Sequence, residues 1–189
     1  MGEVYRARDA KLKREVAIKI LPGRVSTNPQ HIARFQREAE VLASLNHTNI
    51  AGIYDLQETG DSRYLVLEFV EGETLQHRLG RGLLPLDEAL SVARQICHAL
   101  GSAHEKGVVH LDLKPANIMM TSSGRVKLLD FGLASMLRSD ATTDDSSNLP
   151  TVTGTREGVI AGTPAYMSPE QARGKPTDKR TDMWAFGCV

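Results

Sequence analysis

The alternation of apolar and polar residues predicts two β-strands at the start of the chain. The segments EVYRAR and REVAIKIL are rich in strand-forming residues, and a Pro-Gly pair closes the second one. The residues from Asp9 to Lys13 are expected to form the turn between them. With a period of two, Lys19 shares a strand face with Ala17 and Leu21, so we expect its charge to meet an anion on that face.

An apolar stripe with helical spacing follows these strands. Asn28 is the predicted N-cap and Pro29 the first helical residue. Glu38 falls within the stripe and therefore faces inward, where it is the natural partner for Lys19. The alternative is that both charges lie at the surface while their stems cover apolar groups. The stripe consists of Ile32, Phe35, Ala39, Leu42 and Leu45.

Two more strands and a long amphipathic helix are predicted in the middle of the chain. The strands are AGIYDLQE and RYLVLEFV, joined by a turn at Thr59 to Asp61. The helix runs from about Leu86 to Lys106. Because the composition changes from strand-rich to helix-rich near Gly72, we expect two lobes, residues 1–71 and 72–189. The apolar positions of the helix are Leu86, Ala89, Leu90, Ala93, Ile96, Cys97, Leu100 and Ala103.

In the last third of the chain, a polar segment with few apolar residues separates two segments for which regular structure is predicted. RVKLLDFG is predicted to be a short strand that ends near Asp130. The segment from Leu133 to Arg156 is dominated by Ser, Thr and Asp and is predicted to be a loop. Regular structure is expected to return in AGTPAYMSPEQARG.

Composition and charge exclude several classes of protein. The 23 Lys and Arg balance the 23 Asp and Glu, so no net charge attracts the chain to nucleic acid or anionic lipid. Cys97 and Cys188 are far apart and form no CxxC pair, which argues against a disulfide framework or a zinc site and favours the cytoplasm. No apolar run reaches about 18 residues, so we expect no membrane segment in this sequence.

The candidate chemistry is concentrated in the stretch VVHLDLKPANIMM, from Val108 to Met120. It places Asp112, Lys114 and Asn117 within six positions between apolar residues. A carboxylate, an amine and an amide at this spacing can converge on one small polar ligand. The alternative is a polar turn, in which Asp and Asn are common. Asp130 likewise has the alternative of simply terminating a strand.

Four ordered motifs resemble the signature set of the protein kinases. They are VAIK at Val16 to Lys19, HLDLKPAN at His110 to Asn117, DFG at Asp130 to Gly132 and SPE at Ser168 to Glu170, with Glu38 between the first two. MGEVYRARD and SPEQARG further resemble bacterial kinases of the eukaryotic-like serine/threonine type. The resemblance implies an α+β, two-lobed kinase fold, with a small antiparallel β lobe carrying one key helix and a larger, mainly helical lobe.

The resemblance also assigns roles around ATP and Mg²⁺. Phosphoryl transfer depends mainly on positioning and charge neutralisation. By resemblance, Asp130 and Asn117 coordinate Mg²⁺, Asp112 accepts or orients the proton of the substrate hydroxyl, and Lys114 steadies the γ-phosphate.

The nucleotide itself is assigned to a further group of residues. By resemblance, Lys19 contacts the α- and β-phosphates and is held by Glu38. The apolar members of the group could equally be ordinary core residues. The group comprises Gly2 of the glycine-rich loop, Val4, Ala17 and Met119 against the adenine ring, Leu67 in the gatekeeper position, and the Glu68 carbonyl and Val70 amide at the adenine edge.

The substrate class follows from two motifs. Lys114 in DLKPAN and Thr163 in GTPAY resemble serine/threonine kinases, which implies transfer to Ser or Thr of proteins, including the chain itself. By resemblance Thr151, Thr153 and Thr155 are candidate autophosphorylation sites, although they could equally be polar loop residues.

The chain departs from the kinase pattern in three places. Of the glycine-rich loop only Gly2 and Val4 are present, and TDMWAFGCV resembles the opening of the central helix of the large lobe, where Asp182 braces the catalytic loop. We therefore expect a kinase-domain fragment truncated at both ends. Leu111 stands where the family usually has an arginine that binds a phosphate on the activation loop, so phosphorylation is expected to order that loop less through this contact.

Three functions are compatible with these observations: a catalytic serine/threonine kinase domain, a pseudokinase that binds nucleotide or a partner without transfer, and a non-enzymatic helical adaptor. The ordered motifs argue against the adaptor. The presence of Lys19, Asp112, Asn117 and Asp130 favours the catalytic kinase over the pseudokinase.

Overall fold

A computed structural model describes residues 3–21, 29–59, 62–131 and 164–189, apart from the side chains at 29–32, 34, 35 and 164. The predicted Asn28 cap, Gly2, Thr163 and the proposed loop from Leu133 to Arg156 lie outside the described residues. The same holds for Thr151, Thr153 and Thr155.

The first sheet is antiparallel and has four strands in the order β1-β2-β4-β3. The predicted strands are confirmed, and the Asp9 N–H donates to the Arg14 carbonyl (2.9 Å) across the first turn. The strands are β1 (Val4–Arg8), β2 (Glu15–Leu21), β3 (Ile53–Thr59) and β4 (Ser62–Glu68).

The first helix, α1 (Pro29–Ala43), begins at the proline that the sequence predicts as its first residue. Its stripe is buried at Ala39 and Leu42 and continues to Leu45. Glu38 is half-buried on the same helix.

The second sheet is small and is surrounded by helices. It has three antiparallel strands in the order β5-β6-β7. The elements of this part are β5 (Glu73–Thr74), α2 (Leu75–Leu79), α3 (Leu86–Glu105), a 3₁₀ turn (Pro115–Asn117), β6 (Ile118–Met120), β7 (Val126–Leu128), a second 3₁₀ turn (Pro164–Tyr166), α4 (Pro169–Ala172) and α5 (Lys179–Cys188).

The bounds of α3 agree with the prediction, but several of its apolar positions are exposed. Leu86 and Leu90 are 75% and 62% exposed, and Cys97 is also exposed. The apolar positions of this helix form two adjacent stripes, and the stripe with Leu86, Leu90 and Cys97 faces outward in this structure. The buried stripe consists of Val92, Ile96, Ala99, Leu100 and Ala103.

The segment between α1 and β3 joins the two sheets. The Leu128 N–H donates to the Asn49 carbonyl (2.8 Å) and the Ala51 N–H to the Leu128 carbonyl (2.9 Å). The Asn49 side-chain amide also donates to the Val126 carbonyl (2.7 Å). These bonds place residues 49–51, just before β3, directly against β7, and the apolar core is continuous across both parts.

Residues 69–72 connect the two sheets, and Gly72 is required there. Its φ is 153°, and a Cβ at this position would lie 2.1 Å from the Met120 carbonyl oxygen of β6. The change in composition at Gly72 thus coincides with the passage from one sheet to the other. The division into lobes at residues 71 and 72 stays a prediction. No helix within the described ranges is both long and apolar enough to cross a membrane.

Candidate active site

The HLDLKPAN segment, His110 to Asn117, brings three predicted side chains together. Lys114 Nζ lies 3.0 Å and 2.7 Å from the two carboxylate oxygens of Asp112. Asn117 Nδ2 donates to the Asp112 carbonyl (2.8 Å) and to its Oδ2 (3.0 Å). Lys114 and Asn117 are buried, whereas the Asp112 side chain is 47% exposed. The carboxylate is therefore fixed from the protein side and open to a ligand.

The alternation of polar and apolar residues explains this local structure. Leu113 and Ile118 are fully buried and anchor the segment in the core. Pro115 begins the 3₁₀ turn, and the Asn117 N–H donates to the Lys114 carbonyl (2.9 Å). The two anchors therefore hold the backbone on both sides of Lys114 and Asn117 in place.

Asp182 of α5 braces the HLDLKPAN segment, as the resemblance implied. Its carboxylate is 1% exposed and accepts hydrogen bonds from the backbone N–H of His110 (2.8 Å) and Leu111 (2.9 Å). It also accepts from His104 Nε2 (2.7 Å). On the other side, Gln171 Nε2 donates to the Leu111 carbonyl (2.8 Å). These contacts hold Leu111 at a φ of 67°, which is costly for a leucine.

His110 is a positioning residue that the sequence interpretation did not single out. Its ring is fully buried and lies 4.5 Å from the Phe131 ring, centroid to centroid. Nε2 lies 2.9 Å from the Leu129 carbonyl, and Nδ1 accepts the Asp112 N–H (3.3 Å). This pattern assigns the proton to Nε2 of a neutral ring. Burial lowers the pKa of His110, outweighing the opposing effect of Asp182, Asp112 and Asp130. The position of His110 between the apolar residues Val109 and Leu111 is the feature of the sequence that could have indicated a buried histidine.

Lys19 pairs with Asp130, which follows β7 by two residues and was not predicted as its partner. Its Nζ lies 2.6 Å from Oδ2 of Asp130, and both side chains are largely buried. Asp130 has a φ of 61°, which turns its side chain out of the strand direction. The separate prediction of a Lys19–Glu38 pair stays a prediction.

A cavity of about 170 Å³ lies between the two sheets, next to Asp130. Its walls include every described residue that the sequence assigned to the nucleotide except Lys19, namely Val4, Ala17, Leu67, Glu68, Val70, Met119 and Asp130. The sequence analysis missed the remaining wall residues, because tertiary packing of α1, of the segment before β3 and of β7 brings them there. They are Leu42, Leu45, Ile50, Ala51, Ile53, Phe69, Leu129 and Phe131.

The polar groups at the edge of the cavity fit Mg²⁺ and phosphate. Both hydrogen bonds that the Asn117 side chain makes to described residues use its nitrogen, which leaves its oxygen available as a hard ligand. The Asn117 backbone carbonyl accepts the N–H of Leu129 (2.9 Å), the residue before Asp130. Within the described ranges no group of three or more His, Cys, Asp or Glu could enclose a metal ion. Mg²⁺ commonly takes one or two protein oxygens and completes its shell with water and phosphate oxygens. The donor set matches that pattern.

Comparison with known proteins decides the family. The profile of the protein kinase domain matches residues 1–189. The chain belongs to the protein kinase family. Over its whole length this kinase-family chain is 39% identical to the serine/threonine-protein kinase PknB of Mycobacterium leprae, 42% identical to a probable serine/threonine-protein kinase of Streptomyces coelicolor and 40% identical to the serine/threonine-protein kinase pkn2 of Myxococcus xanthus. It spans 29%, 27% and 22% of the length of those relatives.

These relationships confirm the resemblance to bacterial serine/threonine kinases and the α+β kinase fold. In this kinase-family chain, VAIK supplies Lys19, DFG supplies Asp130, and the two residues form the ion pair described above. HLDLKPAN supplies the cluster around Asp112, and SPE opens α4, whose Gln171 contacts the same segment. The first three motifs are thus linked by direct contacts, since His110 of HLDLKPAN also packs against Phe131 of DFG.

Proposed function

We propose that this chain is a serine/threonine protein kinase domain that transfers the γ-phosphate of ATP to Ser and Thr hydroxyls of proteins, including its own. The observation that carries the proposal is the convergence of Lys114 and Asn117 on the open carboxylate of Asp112. The names of the bacterial relatives support the choice of Ser and Thr.

The cavity between the sheets is proposed to bind the nucleotide. Its apolar walls suit a flat aromatic base, and the backbone carbonyl of Glu68 and amide of Val70 would face the adenine edge. Lys19 would contact the α- and β-phosphates from β2, with Glu38 as its second carboxylate. Gly2 would belong to the glycine-rich loop over the phosphates.

Asp130 and Asn117 are the proposed Mg²⁺ ligands. These two side chains would hold Mg²⁺ through oxygen atoms. When bound, Mg²⁺ would supply positive charge that offsets the negative charge of the transferring phosphoryl group.

Asp112 is proposed to orient the hydroxyl of the protein substrate and to take its proton. Its carboxylate is exposed on the side away from Lys114 and Asn117, where a hydroxyl can approach. Lys114 keeps the carboxylate in one rotamer and places a positive charge beside the γ-phosphate. No covalent enzyme intermediate is needed, because direct in-line transfer requires only this positioning.

The proposed partners are proteins with accessible Ser or Thr, with Thr151, Thr153 and Thr155 as candidate autophosphorylation sites. We place the domain in the cytoplasm because ATP is the proposed substrate and because Cys97 and Cys188 are both free thiols.

The test is transfer of radiolabelled phosphate from ATP with Mg²⁺ to a generic basic protein and to the chain itself. The assay compares this chain with a version extended at both ends. Asp112→Asn and Asp130→Asn should each reduce transfer by at least about 100-fold, because each removes a charge from the reacting centre. Asp87→Asn is the matched control, since Asp87 lies exposed in the first turn of α3. Circular dichroism verifies that the variants fold.

Turnover retained by either active-site variant would contradict the assigned roles. Absence of transfer by both lengths of the wild-type chain, with both folded, would favour the pseudokinase instead. Lys19→Met should also abolish transfer, and a modest loss there would contradict the proposed Lys19–Glu38 pair.

A further inference from the structure

Lys127 connects three segments behind the cavity, and no step of the proposed reaction uses it. Its Nζ lies 2.7 Å from Oε2 of Glu68 and 3.3 Å from the Ile50 carbonyl. The same Oε2 accepts the Gly52 N–H (3.0 Å), while the Glu68 N–H donates to the Gly52 carbonyl (2.8 Å). The Lys127 and Glu68 side chains are only 13% and 26% exposed, so solvent screens this pair weakly.

The position of this contact relates it to the cavity walls. Glu68 is the last residue of β4 and lines the cavity, as does Ile50. Met119, another wall residue, lies directly opposite Lys127 in the register of β6 and β7. Side chains at opposed positions of neighbouring strands share one face of the sheet. The Lys127 ammonium group therefore contacts two wall residues, Glu68 and Ile50, and the Lys127 side chain shares a sheet face with a third, Met119.

We propose that Lys127 is a positioning residue for the nucleotide, acting through Glu68. The proposal rests on the proposed binding of ATP in this cavity. By holding the Glu68 carboxylate against the Gly52 amide, Lys127 fixes the backbone at residues 68–70 before the nucleotide arrives. Preorganised hydrogen-bonding groups bind more tightly because less conformational freedom is lost on binding.

This role predicts where the energetic effect appears. The backbone at residues 68–70 faces the adenine, whereas the phosphates lie near Lys19 and Asp130. Loss of Lys127 should therefore weaken binding of adenosine and of ATP by the same factor. It should raise the KM for ATP and leave kcat nearly unchanged, since the bound nucleotide is contacted equally in the ground state and the transition state.

Isothermal titration calorimetry of adenosine and of ATP with Mg²⁺ tests the proposal. Lys127→Met should weaken both ligands roughly tenfold, the usual effect of losing one charge-assisted hydrogen bond. Lys127→Arg should restore most of the affinity because it keeps the charge and a donor. Arg78→Met is the matched control, since Arg78 also forms a partly buried ion pair with a distant carboxylate, that of Glu88 (3.2 Å), and neither residue lines the cavity.

The outcomes separate this inference from the proposed function. Failure of the wild-type chain to bind either ligand contradicts the ATP site itself. Wild-type binding with unchanged affinity in Lys127→Met overturns the role of Lys127, and so does a loss confined to ATP. If Lys127→Met does not fold, the variant Glu68→Gln replaces it in the test. This variant keeps an acceptor for the Gly52 N–H but removes the negative charge that pairs with Lys127. Unchanged adenosine affinity in Glu68→Gln would refute the proposal.

Discussion

Replacement of Asp182 by alanine tests whether α5 holds the HLDLKPAN segment in place. The carboxylate accepts the backbone N–H groups of His110 and Leu111 at a site from which water is excluded. Alanine would leave both donors without an acceptor and would also release His104. The expected result is a less stable protein in which the backbone of the segment is no longer fixed.

The magnitude follows from these contacts. Each buried donor that loses its acceptor costs about 1.5 kcal/mol, and loss of the bond to His104 adds about 1 kcal/mol. The total of about 4 kcal/mol is reduced somewhat, because the variant no longer buries a carboxylate. With a urea dependence of about 2 kcal/mol per molar, a loss of about 3 to 4 kcal/mol lowers the unfolding midpoint by nearly 2 M.

Urea unfolding followed by far-ultraviolet circular dichroism measures this shift. Asp182→Asn keeps the shape and one acceptor oxygen, so it should lose roughly half as much. Asp178→Ala is the control on the same helix: Asp178 is the exposed N-cap of α5 and its removal should have a much smaller effect. A midpoint for Asp182→Ala that equals that of the Asp178 variant would refute the argument.

Two further predictions concern the buried ring of His110 and the backbone at Gly72. The pKa of His110 should lie below that of an unfolded histidine, about 6.5, so the contribution of this ring to the free energy of unfolding should be constant with pH above that value and fall as the pH drops below it; an NMR titration in which this ring protonates at or above its ordinary pKa would contradict it. Gly72→Ala should destabilise the protein by about 3 kcal/mol, because its Cβ would overlap the Met120 carbonyl. Gly101→Ala, on the exposed side of α3 with nothing within 4 Å of the new Cβ, should instead stabilise by about 1 kcal/mol in the same urea assay.

The elements of the fold were predictable where local signals fix them. Pro29 sets the start of α1, and Gly107, with a φ of 74°, follows the end of α3. The buried face of α3 was less predictable, because a periodic pattern does not tell which of two adjacent apolar stripes another element covers. Leu86 and Leu90 belong to the stripe that remains exposed here.

The residues of the candidate site likewise fall into those that local sequence predicts and those that depend on tertiary packing. Asp112, Lys114 and Asn117 are close in sequence, so their spacing alone predicted a cluster. The alternation in β2 predicted an anion for Lys19, but it could not identify Asp130, because that contact depends on how β7 docks against the first sheet. Lys127 was missed for the same reason.

Leu111 shows how tertiary contacts determine a conformation that its own residue type disfavours. A leucine with a φ of 67° loses on the order of 1 to 2 kcal/mol relative to an ordinary conformation. The structure supplies one acceptor for its N–H, from Asp182, and one donor for its carbonyl, from Gln171, and both partners lie on helices outside the HLDLKPAN segment. Two such hydrogen bonds outweigh the strain, and neither involves the Leu111 side chain. The conformation of the segment is therefore held through its backbone and does not depend on the side chain at position 111.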